Sequence, residues 1–159
     1  MHTSLLANNQ SPINQIAQWY FDQWLCHAEN SSLEKSRAYV AQYSSPLGAP
    51  LMVLIRDGER LVGAAQLKIR EMNIYPQYEH WLGGVYIDAA YRHSGYAKIL
   101  VKEVITQARR ATIKSLYLQT EDLSGGLYFT LGFTAIEQVR YNAKEVLVMK
   151  LELLVPEKS

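Results

Sequence analysis

The chain has 159 residues, 48% of them hydrophobic, which is enough for one core and too short for two ordinary domains. Its 16 Lys and Arg against 15 Asp and Glu leave a formal charge of +1, so there is no single-sign field to attract a polyanion and nucleic acid is not expected as a partner. Cys26 is the only cysteine; this excludes an intramolecular disulfide and a thiolate metal cluster within one chain, and beside Trp24 and Leu25 the thiol reads as a small core hydrophobe.

The first ten residues lack a basic segment, a long apolar stretch and a small-residue cleavage site, so no signal peptide is expected. The longest apolar runs fall far short of the roughly 18 to 20 residues that span a bilayer. No membrane association and no metal site are expected, and the expected compartment is the cytoplasm.

Ser11 followed by Pro12 predicts a helix start, and Ile13, Ile16, Ala17, Tyr20 and Trp24 then recur at helical spacing. Ser31 with Glu34 three residues on predicts a capping box and a second helix that ends before Pro46. Residues 51–56 and 61–70 are β-rich runs around Asp57-Gly58-Glu59, a hairpin. Residues 71–79 follow neither period and predict a loop, whereas 81–87 are apolar on both faces, as a central strand would be.

The segment Tyr91-Arg92-His93-Ser94-Gly95-Tyr96-Ala97 is a polar turn that leads into a helix. In that helix Ile99, Leu100, Val104, Ile105 and Ala108 lie on one face, and Lys102, Glu103, Arg109 and Arg110 on the other. Residues 115–119 predict a short strand, 123–131 a short helix closed by Gly132, and 133–154 two strands around Tyr141-Asn142-Ala143-Lys144. This order predicts an α/β (α+β) fold: one domain over residues 1–159, a layered sheet covered by helices.

Main-chain N–H groups at a helix start are unpaired and carry part of the helix dipole, so the turn before the long helix suits an anionic phosphate. Gly95 lets an anion approach the backbone, and Arg92 offers a charge-assisted contact. A strand, turn and helix with one glycine also occur widely without a ligand, and on this evidence alone both readings stand.

The block Val85-Tyr86-Ile87-Asp88 with Tyr91-Arg92-His93-Ser94-Gly95-Tyr96-Ala97 resembles the acetyl-CoA signature R/Q-x-x-G-x-G/A of the GNAT superfamily, through Arg92, Gly95 and Ala97. Downstream, Leu127-Tyr128-Phe129-Thr130-Leu131-Gly132-Phe133 resembles the family's Y-x-x-L-G-F segment. The resemblance covers residues 51–153 and extends weakly into the first helices; Trp81-Leu82-Gly83-Gly84-Val85-Tyr86 and Leu116-Tyr117-Leu118-Gln119-Thr120 are similar to a bacterial subgroup.

The resemblance implies a mixed, mostly antiparallel sheet, splayed to hold acetyl-CoA, and an N-acetyltransferase that serves a primary amine, of a small molecule, by direct attack in a ternary complex. It implies that main-chain groups of Val85, Tyr86 and Ile87 pair with pantetheine, with one N–H polarising the thioester carbonyl. Arg92, His93, Ser94, Gly95, Tyr96 and Ala97 would hold the pyrophosphate. Tyr128 aligns with the tyrosine that protonates the departing thiolate in many members, although it also suits a core aromatic. Leu131 and Phe133 read as packing residues.

For the base that deprotonates the amine, Glu79 is the first candidate, with His80, Glu71 and Glu121 besides; none matches a family motif. Tyr75, Tyr78 and Trp81, with the first helices, would receive the acceptor, or else the rings anchor their loop. His93, Ser94 and Ala97 depart from the commoner residues of the signature, and Gly125 and Gly126 predict a short or irregular helix before Tyr128. Two other readings remain at this point: a non-catalytic acyl-CoA-binding or sensing module, and an enzyme whose acceptor is a protein N-terminus or lysine. A homodimer is expected only by analogy.

Overall fold

Strands send successive side chains to opposite faces, and here both faces are apolar. The computed structural model describes residues 1–153. In chain order the elements are β1 (His2–Leu5), α1 (Ile13–Gln23), α2 (Leu33–Ala41), β2 (Leu51–Asp57), β3 (Arg60–Ile69), β4 (His80–Ile87), α3 (Tyr96–Arg110), β5 (Ser115–Thr120), α4 (Gly126–Thr130), β6 (Thr134–Tyr141) and β7 (Lys144–Glu152). They form one seven-stranded sheet in the order β1-β2-β3-β4-β5-β7-β6. Every neighbouring pair is antiparallel except β4 with β5, so the mixed, mostly antiparallel sheet flanked by helices is the expected architecture.

Strand β2 shows how the layers arise. Leu51, Val53 and Ile55 face Leu100, Val101 and Val104 of α3, while Met52 and Leu54 face Ile16, Ala17 and Tyr20 of α1 and Val40 of α2. In the other half of the sheet Leu116, Leu118, Leu147 and Met149 join the α3 side, and Tyr117, Val146 and Val148 are covered by Met72 and Tyr75 of the loop 71–79. That loop is tied down by stacking of Tyr78 on Tyr117 at 4.1 Å between ring centroids, and of Tyr75 on Tyr78 at 5.0 Å.

The β4–β5 pairing holds at a single register position, Trp81↔Tyr117. Beyond it β4 stays with β3, as far as Ile87↔Gly63, and β5 stays with β7, as far as Thr120↔Leu147. The two strands therefore part at their C-terminal ends. On the β3 side the register passes from Gln66↔Gly83 to Ala64↔Tyr86, which leaves a bulge at Gly84 and Val85. Gly84 is left-handed there, at φ 56°.

Several local expectations are corrected. Residues 1–10 contain β1, which pairs antiparallel with β2; four residues are too few to show a period. Helix α1 starts at Ile13, because Pro12 is its cap and the Asn9 side chain takes the Ser11 N–H. The cap of α2 is Ser32, whose hydroxyl accepts from the Lys35 N–H, not Ser31. Cys26 is exposed rather than in the core, because it follows the end of α1 in a 3-10 turn, Leu25–His27, with no buried residue. Helix α4 is narrower than the bounds 123–131 and short, as Gly125 and Gly126 predict: left-handed at φ 83° and 46°, they delay its start. The last strand's predicted end at Leu154 lies outside the described residues.

Candidate active site

Where β4 and β5 part, a cavity of about 500 Å³ opens, lined from α1, α2, β3, β4, the end of β5, α4 and the β6–β7 turn. Its floor is polar. Lys68 Nζ donates to Glu71 Oε1 at 2.8 Å, Gln119 Nε2 donates to Glu71 Oε2 at 3.1 Å, and Gln66 Nε2 donates to the Tyr39 hydroxyl at 3.0 Å. Burial draws the Lys68 ammonium down, but Glu71 and Tyr39 more than offset this and hold its pKa above the ordinary lysine value. Lys68 thus stays charged at neutral pH.

These side chains lie flat against β4 because Gly83 and Gly84 have none. A Cβ on Gly83 would come 2.7 Å from Glu71 Oε1 and 2.7 Å from Lys68 Cδ, and one on Gly84 would overlap Gln66 Oε1 and come 2.8 Å from the Tyr20 hydroxyl. The Tyr20 hydroxyl instead donates to the Gly84 carbonyl at 2.6 Å. Burial, and then Tyr39 and Tyr43, push the Tyr20 phenol well above its ordinary pKa. At the rim Lys144 Nζ sits 3.4 Å from Glu121 Oε2.

Tyr128 lines the same cavity from α4. Burial first, and the Glu71 charge second, push its phenol above the ordinary value. Its ring meets Phe133 edge-on at 6.1 Å, and the Phe133 N–H donates to the Tyr128 carbonyl at 3.1 Å. Phe133 is buried in the core beneath the sheet's α3 side. The short helix is therefore anchored on the sheet immediately after Tyr128.

Val85 lines the cavity, and Tyr86 and Ile87 continue β4 towards the turn. The Tyr86 ring stacks on Trp19 at 5.1 Å. Arg92 does not reach outward with its whole guanidinium: Nε donates to the Ile87 carbonyl at 2.9 Å and the group lies over the Tyr86 ring. His93, Ser94 and Gly95 are exposed, with His93 at φ 64° and Gly95 at φ 85°, and Tyr96 and Ala97 form the first turn of α3. A Cβ on Gly95 would meet nothing within 4 Å, so the face of this turn is open. Open space, left-handed Gly95 and the unpaired N–H groups that begin a long helix fit a phosphate group.

The fold does not bring Glu79 to Tyr128. Glu79 and His80 stand at the start of β4, the end opposite the opening, on a groove shared with Ile113 and Lys114 at the start of β5. There Glu79 lies 3.6 Å from Arg70 and 3.7 Å from His80 Nδ1, with its side chain 54% exposed. Tyr75, Tyr78 and Trp81 also lie away from the cavity, in the cluster that anchors the loop. The aromatic walls are Tyr20, Trp24, Tyr39 and Tyr141.

Sequence reasoning missed Tyr39, Gln66 and Lys68, and took Tyr20 for a core residue only. One signal was present: Gln66 and Lys68 are two apart in a strand, so they share a face, and a polar pair on the face of a buried strand needs partners.

A model of the Acetyltransferase (GNAT) family matches residues 13–133. No curated protein matches the sequence. Among solved structures the chain is similar to an aminoglycoside 6'-N-acetyltransferase complexed with coenzyme A, with a TM-score of 0.75 at 14% identity, covering 99% of this chain and 100% of that one. It is similar to yncA from Salmonella typhimurium with its cofactor acetyl-CoA, with a TM-score of 0.73 at 16% identity over 100% and 98% of the two chains. A ribosomal-protein-alanine N-acetyltransferase from Brucella melitensis gives a TM-score of 0.74 at 16% identity over 96% and 100%. At these identities the structures show a shared fold, and together with the family match they establish that the chain belongs to the GNAT family of acetyltransferases.

Proposed function

We propose that this chain transfers acetyl from acetyl-CoA to the primary amine of a small molecule, by direct attack in a ternary complex. The observation that carries this reading is that Tyr128 and Glu71 line one cavity where β4 and β5 part. Acetyl-CoA supplies an activated thioester. The main chain of Val85, Tyr86 and Ile87 lies along the part of β4 that has left β5 and is open to pairing with pantetheine, while the turn from Arg92 to Ala97 receives the pyrophosphate.

Because the Tyr128 phenol is held above its ordinary pKa, it stays protonated at neutral pH and has an O–H to offer the sulfur as the C–S bond breaks. The proton lost by the attacking nitrogen restores it. An alkylammonium has a pKa of about 10.4, so the acceptor must also shed a proton before it attacks. Glu71 and Glu121 both line the cavity, Glu121 at its rim beside Lys144, and Glu71, fixed by Lys68 and Gln119 and facing Tyr128, is the carboxylate towards which that ammonium turns. A cavity of about 500 Å³ is in the range that small ligands fill, which favours a small acceptor.

Calorimetry with acetyl-CoA, followed by CoA release with a panel of small amines, tests the reading in wild type, Tyr128→Phe and Glu71→Gln. Tyr128→Phe is expected to keep acetyl-CoA affinity and to lower kcat about 100-fold, the lower end of what a positioned general acid contributes. Tight binding with turnover indifferent to Tyr128→Phe would remove Tyr128 from the chemistry. Release with no small amine, together with labelling of proteins in a lysate, would move the acceptor to a protein.

A further inference from the structure

Tyr20 belongs to α1 and is 1% exposed, yet its hydroxyl is spent on a single group, the Gly84 carbonyl, at 2.6 Å. That carbonyl is part of the bulge, where Gly84 and Val85 together face Ala65 and neither holds a regular register position. A bulge peptide released from the ladder has a choice of orientation that a strand peptide lacks. The Tyr20 bond removes the choice by drawing the Gly84 carbonyl out of the sheet towards α1.

The Gly84–Val85 peptide is trans, the one cis bond among the described residues being Ala49–Pro50. In a planar trans peptide the N–H points opposite to the C=O. With the carbonyl turned to α1, the Val85 N–H is turned to the other side, where α3 packs and where β4 has left β5. Gly84 at φ 56° is what permits the turn, and the overlap that a Cβ there would have with Gln66 shows that the space is closed around it.

We propose that Tyr20 is a positioning residue for acetyl transfer: by holding the Gly84 carbonyl it aims the Val85 N–H at the thioester carbonyl oxygen, where negative charge develops as the amine attacks. This rests on the acetyl-CoA reading above. Preorganised donors of this kind act strongly because they need not reorient during the reaction, and a donor on a bulge stays preorganised only if something outside the ladder holds it. Burial keeps the Tyr20 phenol protonated, so it remains a donor throughout the working pH range.

The test needs no acceptor. Acetyl-CoA labelled with carbon-13 at the acetyl carbonyl is bound to wild type, Tyr20→Phe and Tyr43→Phe, with calorimetry for affinity and isotope-edited infrared for the thioester C=O stretch. Tyr43→Phe removes a neighbouring phenol hydroxyl, 3.3 Å from that of Tyr39, that lies outside the cavity and bonds to neither Gln66 nor Gly84. The expected result is a lower stretching frequency on wild type and Tyr43→Phe, with at least half of that shift lost on Tyr20→Phe at unchanged affinity. Equal shifts on wild type and Tyr20→Phe would overturn the proposal while leaving the cofactor reading intact. Should Tyr20→Phe not fold, the Val85 amide of nitrogen-15-labelled wild type gives the answer: its proton resonance moves downfield when acetyl-CoA replaces CoA, and an unmoved resonance overturns the proposal. If acetyl-CoA does not bind wild type, the cofactor reading fails and the proposal fails with it.

Discussion

Gly84→Ala is the substitution for which the structure predicts the clearest penalty, because two independent effects meet at one residue. The backbone there is left-handed at φ 56°, a conformation that costs an ordinary residue about 1 to 2 kcal/mol. The new Cβ would also overlap Gln66 Oε1 and come 2.8 Å from the Tyr20 hydroxyl, and such overpacking costs about 1 to 3 kcal/mol. Gly95→Ala separates the two effects, since Gly95 is equally left-handed at φ 85° but a Cβ there meets nothing within 4 Å. We expect Gly84→Ala to lose about 4 kcal/mol, if relief of the overlap breaks one of the two hydrogen bonds at about 1 kcal/mol, and Gly95→Ala about 1 to 2 kcal/mol. Urea unfolding at constant m reads the difference, and in a domain of this size it corresponds to roughly 5 to 10 °C in Tm between the variants. Losses equal to within about 0.5 kcal/mol would refute the reasoning, since the bulge would then have yielded without resistance.

The other predictions concern the turn, the core and the free thiol. Gly95→Glu places a carboxylate at the open turn before α3 and is expected to weaken acetyl-CoA binding by calorimetry at least about tenfold, or 1.4 kcal/mol, relative to the Gly95→Ala control. Phe133→Ala empties a core position that is 1% exposed, for a loss of about 3 to 5 kcal/mol; because Phe133 also anchors Tyr128, variants that remain folded should show lower turnover. Cys26 is exposed, so a thiol reagent should modify it in the native protein as fast as in urea, and Cys26→Ser should leave stability within about 0.5 kcal/mol.

The turn around Gly95 and the segment around Tyr128 were legible because each is local: a glycine before an amphipathic helix, and a tyrosine three residues before Leu131-Gly132-Phe133. The hairpin of β2 and β3 was legible for the same reason, through Gly58 between two β-rich runs. Strand β1 was not, since four residues carry no period and only pairing with β2 makes them a strand. The exposure of Cys26 depended on where α1 stopped.

The carboxylate is the instructive case. Glu71 and Glu79 bound the same loop between β3 and β4, and in the sequence they are indistinguishable as charged residues at loop ends. Glu71 folds back over the sheet because Lys68 neutralises it, Gln119 donates to it and Gly83 leaves room for it; Glu79 turns outward to Arg70. Local patterning by itself determined most of the helices and strands and the polar turn before α3, and two short motifs carried the resemblance to the family. Tertiary structure alone decided which carboxylate faces Tyr128 and that Tyr20 holds the Gly84 carbonyl, because those contacts join residues from α1, β3, β4, β5 and α4 whose meeting depends on how the sheet parts, a long-range property that no short window of sequence contains.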